Sequence, residues 1–129
     1  MPNVRVFTDQ VNIFKAMLAK ATPSPEQVKD TDFLLTMGEA FTQVVYGQLI
    51  LENADIYSID ADLVSQIFDF MVRDLSNFAL KLYSQPSTTR EQMEFCLKMI
   101  QRPDKDTDRF CRVWSDQVYP LKDEYEMNP

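Results

Sequence analysis

Asp104-Lys105-Asp106-Thr107-Asp108 is the sharpest chemical pattern in the sequence, because three carboxylates at alternate positions open a calcium-binding EF-hand loop. The rest of such a loop is missing. Its sixth position, where glycine permits the bend, is Arg109, and its twelfth, where a bidentate glutamate belongs, is Ser115. The acids read instead as the start of a helix, where carboxylates complement the helix dipole. Asp60 with Asp62 and Glu124 with Glu126 form further carboxylate pairs, but nothing apolar around them points to a raised pKa and acid–base work. Trp114 and Phe110 offer a flat aromatic platform, and at helical spacing in an acidic segment they read as a buried anchor. Seven methionines raise the option of an adaptable peptide groove, yet Met71, Met93 and Met99 fall at or beside core positions.

The larger constraint is what these side chains lack. The 129 residues contain no histidine, and their two glycines, Gly38 and Gly47, lie inside one long helical run. A histidine-dependent triad, a histidine-ligated metal or a glycine-rich phosphate loop cannot be assembled from that inventory. Twenty acidic against 13 basic residues give a net charge of −7, which argues against capture of nucleic acid or an anionic membrane. Cys96 and Cys111 carry no metal-ligand spacing and read as reduced, mostly buried thiols. Charged and amide side chains run through residues 1–14, so that stretch is neither a signal peptide nor a membrane span. A cytoplasmic protein is the expectation.

The elements that position these groups are helices separated by prolines. Phe7, Val11, Phe14, Leu18 and Ala21 place one apolar stripe on a first helix, closed by Thr22-Pro23-Ser24-Pro25. A second run, from about Thr31 to Tyr57, has polar Thr36, Glu39 and Gln43 on one face but is apolar almost all round from Val44 to Leu51, which predicts a buried helix. Its glycines are nine residues apart and so on opposite sides, each placed to let a different neighbour come close. Asp60 is the N-cap of a third helix, on which Val64, Phe68, Met71, Leu75, Phe78 and Leu82 make the cleanest amphipathic stripe, ended by Pro86. Leu63, Ile67 and Phe70 widen it to what a bundle helix needs.

Thr88 with Glu91 predicts a capping box for a fourth helix, with Met93, Cys96, Leu97 and Ile100 inward. A fifth, shorter helix starts near Asp106, with Phe110, Val113, Trp114 and Val118 on one face and Arg109, Arg112 and Asp116 in solvent. Leu121 to Pro129 forms a charged, aromatic tail.

Several stretches carry a family resemblance. Phe78-Ala79-Leu80-Lys81-Leu82-Tyr83-Ser84-Gln85-Pro86-Ser87, Met99-Ile100-Gln101-Arg102-Pro103, Arg109-Phe110-x-Arg112-Val113-Trp114 and the ending Tyr125-Glu126-Met127-Asn128-Pro129 resemble the extreme C-terminus of bacterial acyl-CoA dehydrogenases. Gly47-Gln48-Leu49-Ile50-Leu51-Glu52-Asn53-Ala54 is similar as well. The resemblance implies a C-terminal helical extension of an FAD-dependent enzyme that oxidises acyl-CoA thioesters to enoyl-CoA. Family members carry a helical N-terminal domain, a β-domain against the flavin and a glutamate base in a Tyr-Glu-Gly-Thr setting, and none of these is found in the 129 residues. Glu126 is followed by Met127 and Asn128, so the catalytic role does not carry over to it.

The expectation is therefore an all-α protein: residues 1–129 as one up-and-down four-helix bundle with a short fifth helix and an extended C-terminal tail. No catalytic, cofactor-binding or metal-binding residue is assigned, and the FAD belongs to the parent enzyme. The implied partner is the remainder of that enzyme or a second copy of the chain. The alternative is a free-standing helical interaction module or homodimer.

Overall fold

A computed structural model describes residues 1–124. The helices are α1 (Pro2–Lys20), α2 (Pro25–Lys29), α3 (Thr31–Ile56), α4 (Ala61–Tyr83), α5 (Arg90–Met99) and α6 (Thr107–Val113). After α6 the chain continues through a π-helical turn, Trp114–Val118, and a 3₁₀ turn, Tyr119–Leu121. No strand occurs among the described residues, and the fold is all-α.

Local chemistry sets the helix starts. Asp60 Oδ1 accepts from Leu63 N at 3.1 Å and Asp106 Oδ1 from Arg109 N at 2.9 Å, each satisfying an amide that the first helical turn leaves unpaired. Asp30 caps α3 in the same way through Phe33 N. Two corrections arise here. The Thr22–Pro25 connector leads into a helix of its own, α2, fixed by a capping box of Ser24 and Gln27. The capping box of α5 is made by Thr89 and Gln92, one residue later than Thr88 and Glu91, because Thr88 Oγ1 instead donates to Leu82 O at 2.6 Å and closes the end of α4.

Side-chain pairings give the topology. Asn3 reaches Ser65 O, Phe7 meets Phe68 edge-to-face at 5.2 Å and Gln10 reaches Val72 O, so α1 and α4 run in the same direction. Along α3 the pairings fall as α4 rises: Gln43 with Met71, Glu39 with Lys81 and Thr36 with Gln85. In α5, Gln92 bonds to Ala21 O and Met99 O lies 2.8 Å from Gln10 Nε2, so α5 runs against α1. The four long helices therefore go up, down, up and down.

The centre of the bundle is α4. It packs against α1, α3, α5 and α6, and both its sides are buried: Val64, Phe68, Leu75 and Leu82 on one, Ser65, Asp69, Val72, Ser76 and Ala79 on the other. The expectation that the second long helix is buried all round is overturned. On α3 only Phe33, Thr36, Ala40, Val44 and Gly47 are buried, because its neighbours in the fold cover a single side.

On α1 the buried stripe is Asn3, Phe7, Gln10, Phe14, Met17 and Ala21, while Val11 and Leu18 stand at its margin, half-buried. Two amides occupy apolar positions because they serve backbone groups that the helix ends leave open. Gln10 Nε2 lies within reach of Met99 O at the end of α5 and of Ser76 Oγ at 2.9 Å. Asn3 donates to Asp104 O at 3.3 Å and accepts from Asp104 N at 2.7 Å, tying the 101–106 connector to α1. On α5 the inward residues are Gln92, Cys96 and Met99, whereas Leu97 and Ile100 face solvent.

Candidate functional site

The positions nominated for chemistry do not converge. Asp106 is committed to capping α6, and Asp104 is held through its backbone by Asn3. No group of three metal-ligating side chains is arranged for an ion among the described residues. Asp60 caps α4, and Asp62 accepts from Arg112 Nε at 2.9 Å and Nη2 at 3.1 Å. The guanidinium holds the Asp62 carboxyl below its ordinary range, so this acid stays ionised and is no proton donor near neutrality. Glu124 is exposed in the turn that follows Leu121, and Glu126 with the rest of the tail motif, Tyr125 to Pro129, lies outside the described residues.

The two thiols differ. Cys96 is buried, and desolvation of its thiolate pushes the thiol up to about 11, while Cys111 is exposed, so the expectation of mostly buried thiols holds for Cys96 alone. The folded chain should thus react with one equivalent of a thiol reagent near pH 8, at Cys111, with the second equivalent appearing on unfolding. Two fast equivalents in the native state would contradict this. Because burial raises the Cys96 value above that of an unfolded thiol, its contribution to stability is intact below about pH 9 and declines as pH rises through about 11.

Trp114 and Phe110 are not a buried anchor either, each being about half exposed. The π-helical turn carries Trp114 away from the core to lie against Tyr119, with ring centroids 6.3 Å apart. Between α4 and this segment runs an open apolar groove edged by Ile67, Phe70, Phe110 and Trp114.

A buried ionic group escaped the sequence reading. Arg109, expected in solvent, is 5% exposed, and its Nη2 lies 3.7 Å from Oδ2 of the buried Asp69. Arg73 Nη2 approaches Asp69 Oδ1 to 2.9 Å, without the alignment of a hydrogen bond, so that oxygen is neutralised but not hydrogen-bonded. Arg109 Nε also lies 3.4 Å from Gln66 Oε1, and its Nη2 lies 3.4 Å from Asp104 O. A carboxylate between two guanidiniums, with no nucleophile against it among these contacts, is a clamp joining α6 to α4. The only hint in the sequence is that Asp69 sits on the second face of an otherwise amphipathic helix.

The feature with the greatest physical consequence is the outward side of α3. Leu34, Gly38, Phe41, Val45, Leu49, Glu52 and Ile56 follow at steps of 4, 3, 4, 4, 3 and 4 along a side turned away from its buried residues. The large apolar members of the stripe are 40% to 71% exposed, and Leu35, Tyr46 and Tyr57 extend it sideways. From Ala40 to Leu51 there is no charged residue. A contiguous apolar face of this kind marks an interaction site on a folded domain.

The two glycines divide between the two sides, as their spacing required. Gly47 receives the ring of Phe7, and a methyl group placed on it would stand 2.5 Å from Phe7 Cζ. Gly38 has no atom of another element within 4 Å of such a methyl, so the close neighbour expected there is absent among the described residues. Gly38→Ala should accordingly stabilise the isolated fold by about 1 kcal/mol through helix propensity, read as a higher urea midpoint. A lower midpoint would mean that the glycine serves the bundle itself.

No family model matches the chain, and no curated protein or solved structure matches it. No helix among the described residues is long and apolar enough to cross a membrane.

Proposed function

We propose that the chain is a helical assembly module that works by burying the outward face of α3 against another folded surface. It serves as the accessory C-terminal domain of an FAD-dependent acyl-CoA dehydrogenase-like enzyme and is not itself catalytic. The observation that carries the assembly role is the two-sided apolar character of α3, whose second side has no cover among the described residues. The link to the flavoenzyme rests on the sequence stretches around Gly47, Phe78, Met99 and Arg109.

In this role the chain's contribution is mechanical. Asp69, Arg109 and the amides of Asn3 and Gln10 hold the bundle rigid, so that α3 presents its stripe in one geometry. Flavin and acyl-CoA are handled by the parent enzyme. The purified chain, given an acyl-CoA and an artificial electron acceptor with added FAD, should reduce none of the acceptor. The acyl-CoA dehydrogenase body should retain the chain, and the assembly formed through α3 should come apart when Phe41 and Leu49 are both changed to Glu. Turnover by the chain alone, failure of the body to retain it, or assembly indifferent to those two positions would overturn the proposal.

A further inference from the structure

We infer that the surface that covers α3 is the α3 of a second copy of this chain, packed antiparallel about a two-fold axis at Val45. This deepens the assembly reading above and rests on it. The spacing of the outward stripe is the same read from either end, which an interface between identical surfaces demands, since each residue must meet its mate by symmetry. Turning one helix about Val45 sets Leu34 against Ile56, Phe41 against Leu49, Gly38 against Glu52 and Val45 against itself. Leu34, Val45 and Ile56 are 11 residues apart, close to three turns of an α-helix, so the stripe stays on one side and two straight helices can follow it.

Side-chain size fits that pairing. Gly38 is the smallest residue of the stripe and faces the longest polar one, so the aliphatic stem of Glu52 can lie over its backbone while the carboxylate reaches the edge. This gives the glycine a purpose that the bundle does not, since it costs about 1 kcal/mol of helix propensity and a side chain there would meet no other element among the described residues. Charge points the same way. Each copy carries −7, so two copies can approach only where the surface is neutral, and the Ala40–Leu51 stretch is free of charge. The 23 residues from Leu34 to Ile56 span about 33 Å, and Leu35 and Tyr46 widen the strip toward the roughly 800 Å² per partner of a stable interface.

The test uses the full chain with Cys111→Ser, which removes the exposed thiol, and Val45→Cys, which faces itself across the axis. Mild oxidation should convert it to a disulfide-linked dimer, whereas Glu91→Cys in the same background, exposed on α5, should stay monomeric. Light scattering on the unmodified chain should give twice 15.1 kDa. A chain that stays monomeric, or a dimer in which Val45→Cys does not cross-link, overturns the pairing. The melt of Phe41→Glu/Leu49→Glu separates that failure from failure of the assembly reading. A cooperatively folded monomer leaves the outward face free for another partner, and an unfolded chain shows that the face belongs to the core.

Discussion

Asp69→Ala is expected to lower the stability of the bundle by about 3–5 kcal/mol, the usual loss when one partner of a buried ion pair is removed. The cause is what remains behind. Arg109 is 5% exposed and reaches the core between α4 and α6 with Gln66 and Asp104 O as its other contacts, both at 3.4 Å. Without the carboxylate its charge is buried unpaired, and α6 should detach from α4 before the four long helices separate. Replacing both partners, as Asp69→Leu with Arg109→Met, should recover much of the loss, because a buried ion pair often does no better than apolar side chains of similar volume. Urea unfolding of the three variants measures this. A loss under about 1 kcal/mol for Asp69→Ala would mean that Arg109 finds water, and that the pair is not the clamp described here.

Gly47→Leu should be nearly as damaging, by a different route. The added side chain has to occupy the place of the Phe7 ring, which also packs edge-to-face on Phe68. Overpacking of a filled core typically costs about 1–3 kcal/mol, and displacement of an aromatic ring at a three-helix contact belongs at the upper end. The contrast with Gly38 makes the experiment informative. Gly38→Leu has open space to enter within the single chain, so thermal melting at a dilution where the chain is monomeric should separate the two glycines by sign or by several degrees. Equal melting points would show that α1 and α3 are not held together at Gly47.

Much of the fold was legible because short-range chemistry dictates it. Asp60 and Asp106 announce their helices, Pro86 and Pro103 stop theirs, and the 4-and-3 stripe from Val64 to Leu82 identifies a core face without any tertiary knowledge. What escaped has a common physical origin. Asn3, Gln10, Gln92, Asp69 and Arg109 are polar types whose burial depends on partners distant in sequence, such as Ser65 O or Met99 O, and one-dimensional periodicity counts them as outward. The capping box shifted by one residue because Thr88 and Thr89 both offer a hydroxyl, and only the fold shows that Leu82 O claims the first.

The outward side of α3 was half legible. Its hydropathy shows that the face avoids water, and the same signal cannot say whether the cover lies within the chain or outside it. The nine-residue separation of the glycines was the better clue, since it required a close neighbour on each side. The described residues supply only Phe7.

Hydroxyl-radical footprinting of the chain over a range of concentrations tests the central claim most directly, since it reads the cover of individual side chains. Phe41, Tyr46 and Leu49 should be oxidised readily in dilute solution and become protected as the chain assembles, while Phe70 and Trp114, exposed elsewhere, should keep a constant rate. Oxidation of Phe41, Tyr46 and Leu49 that is the same at every concentration, or protection that appears at Phe70 and Trp114 instead, would contradict the assignment of α3 as the assembly face.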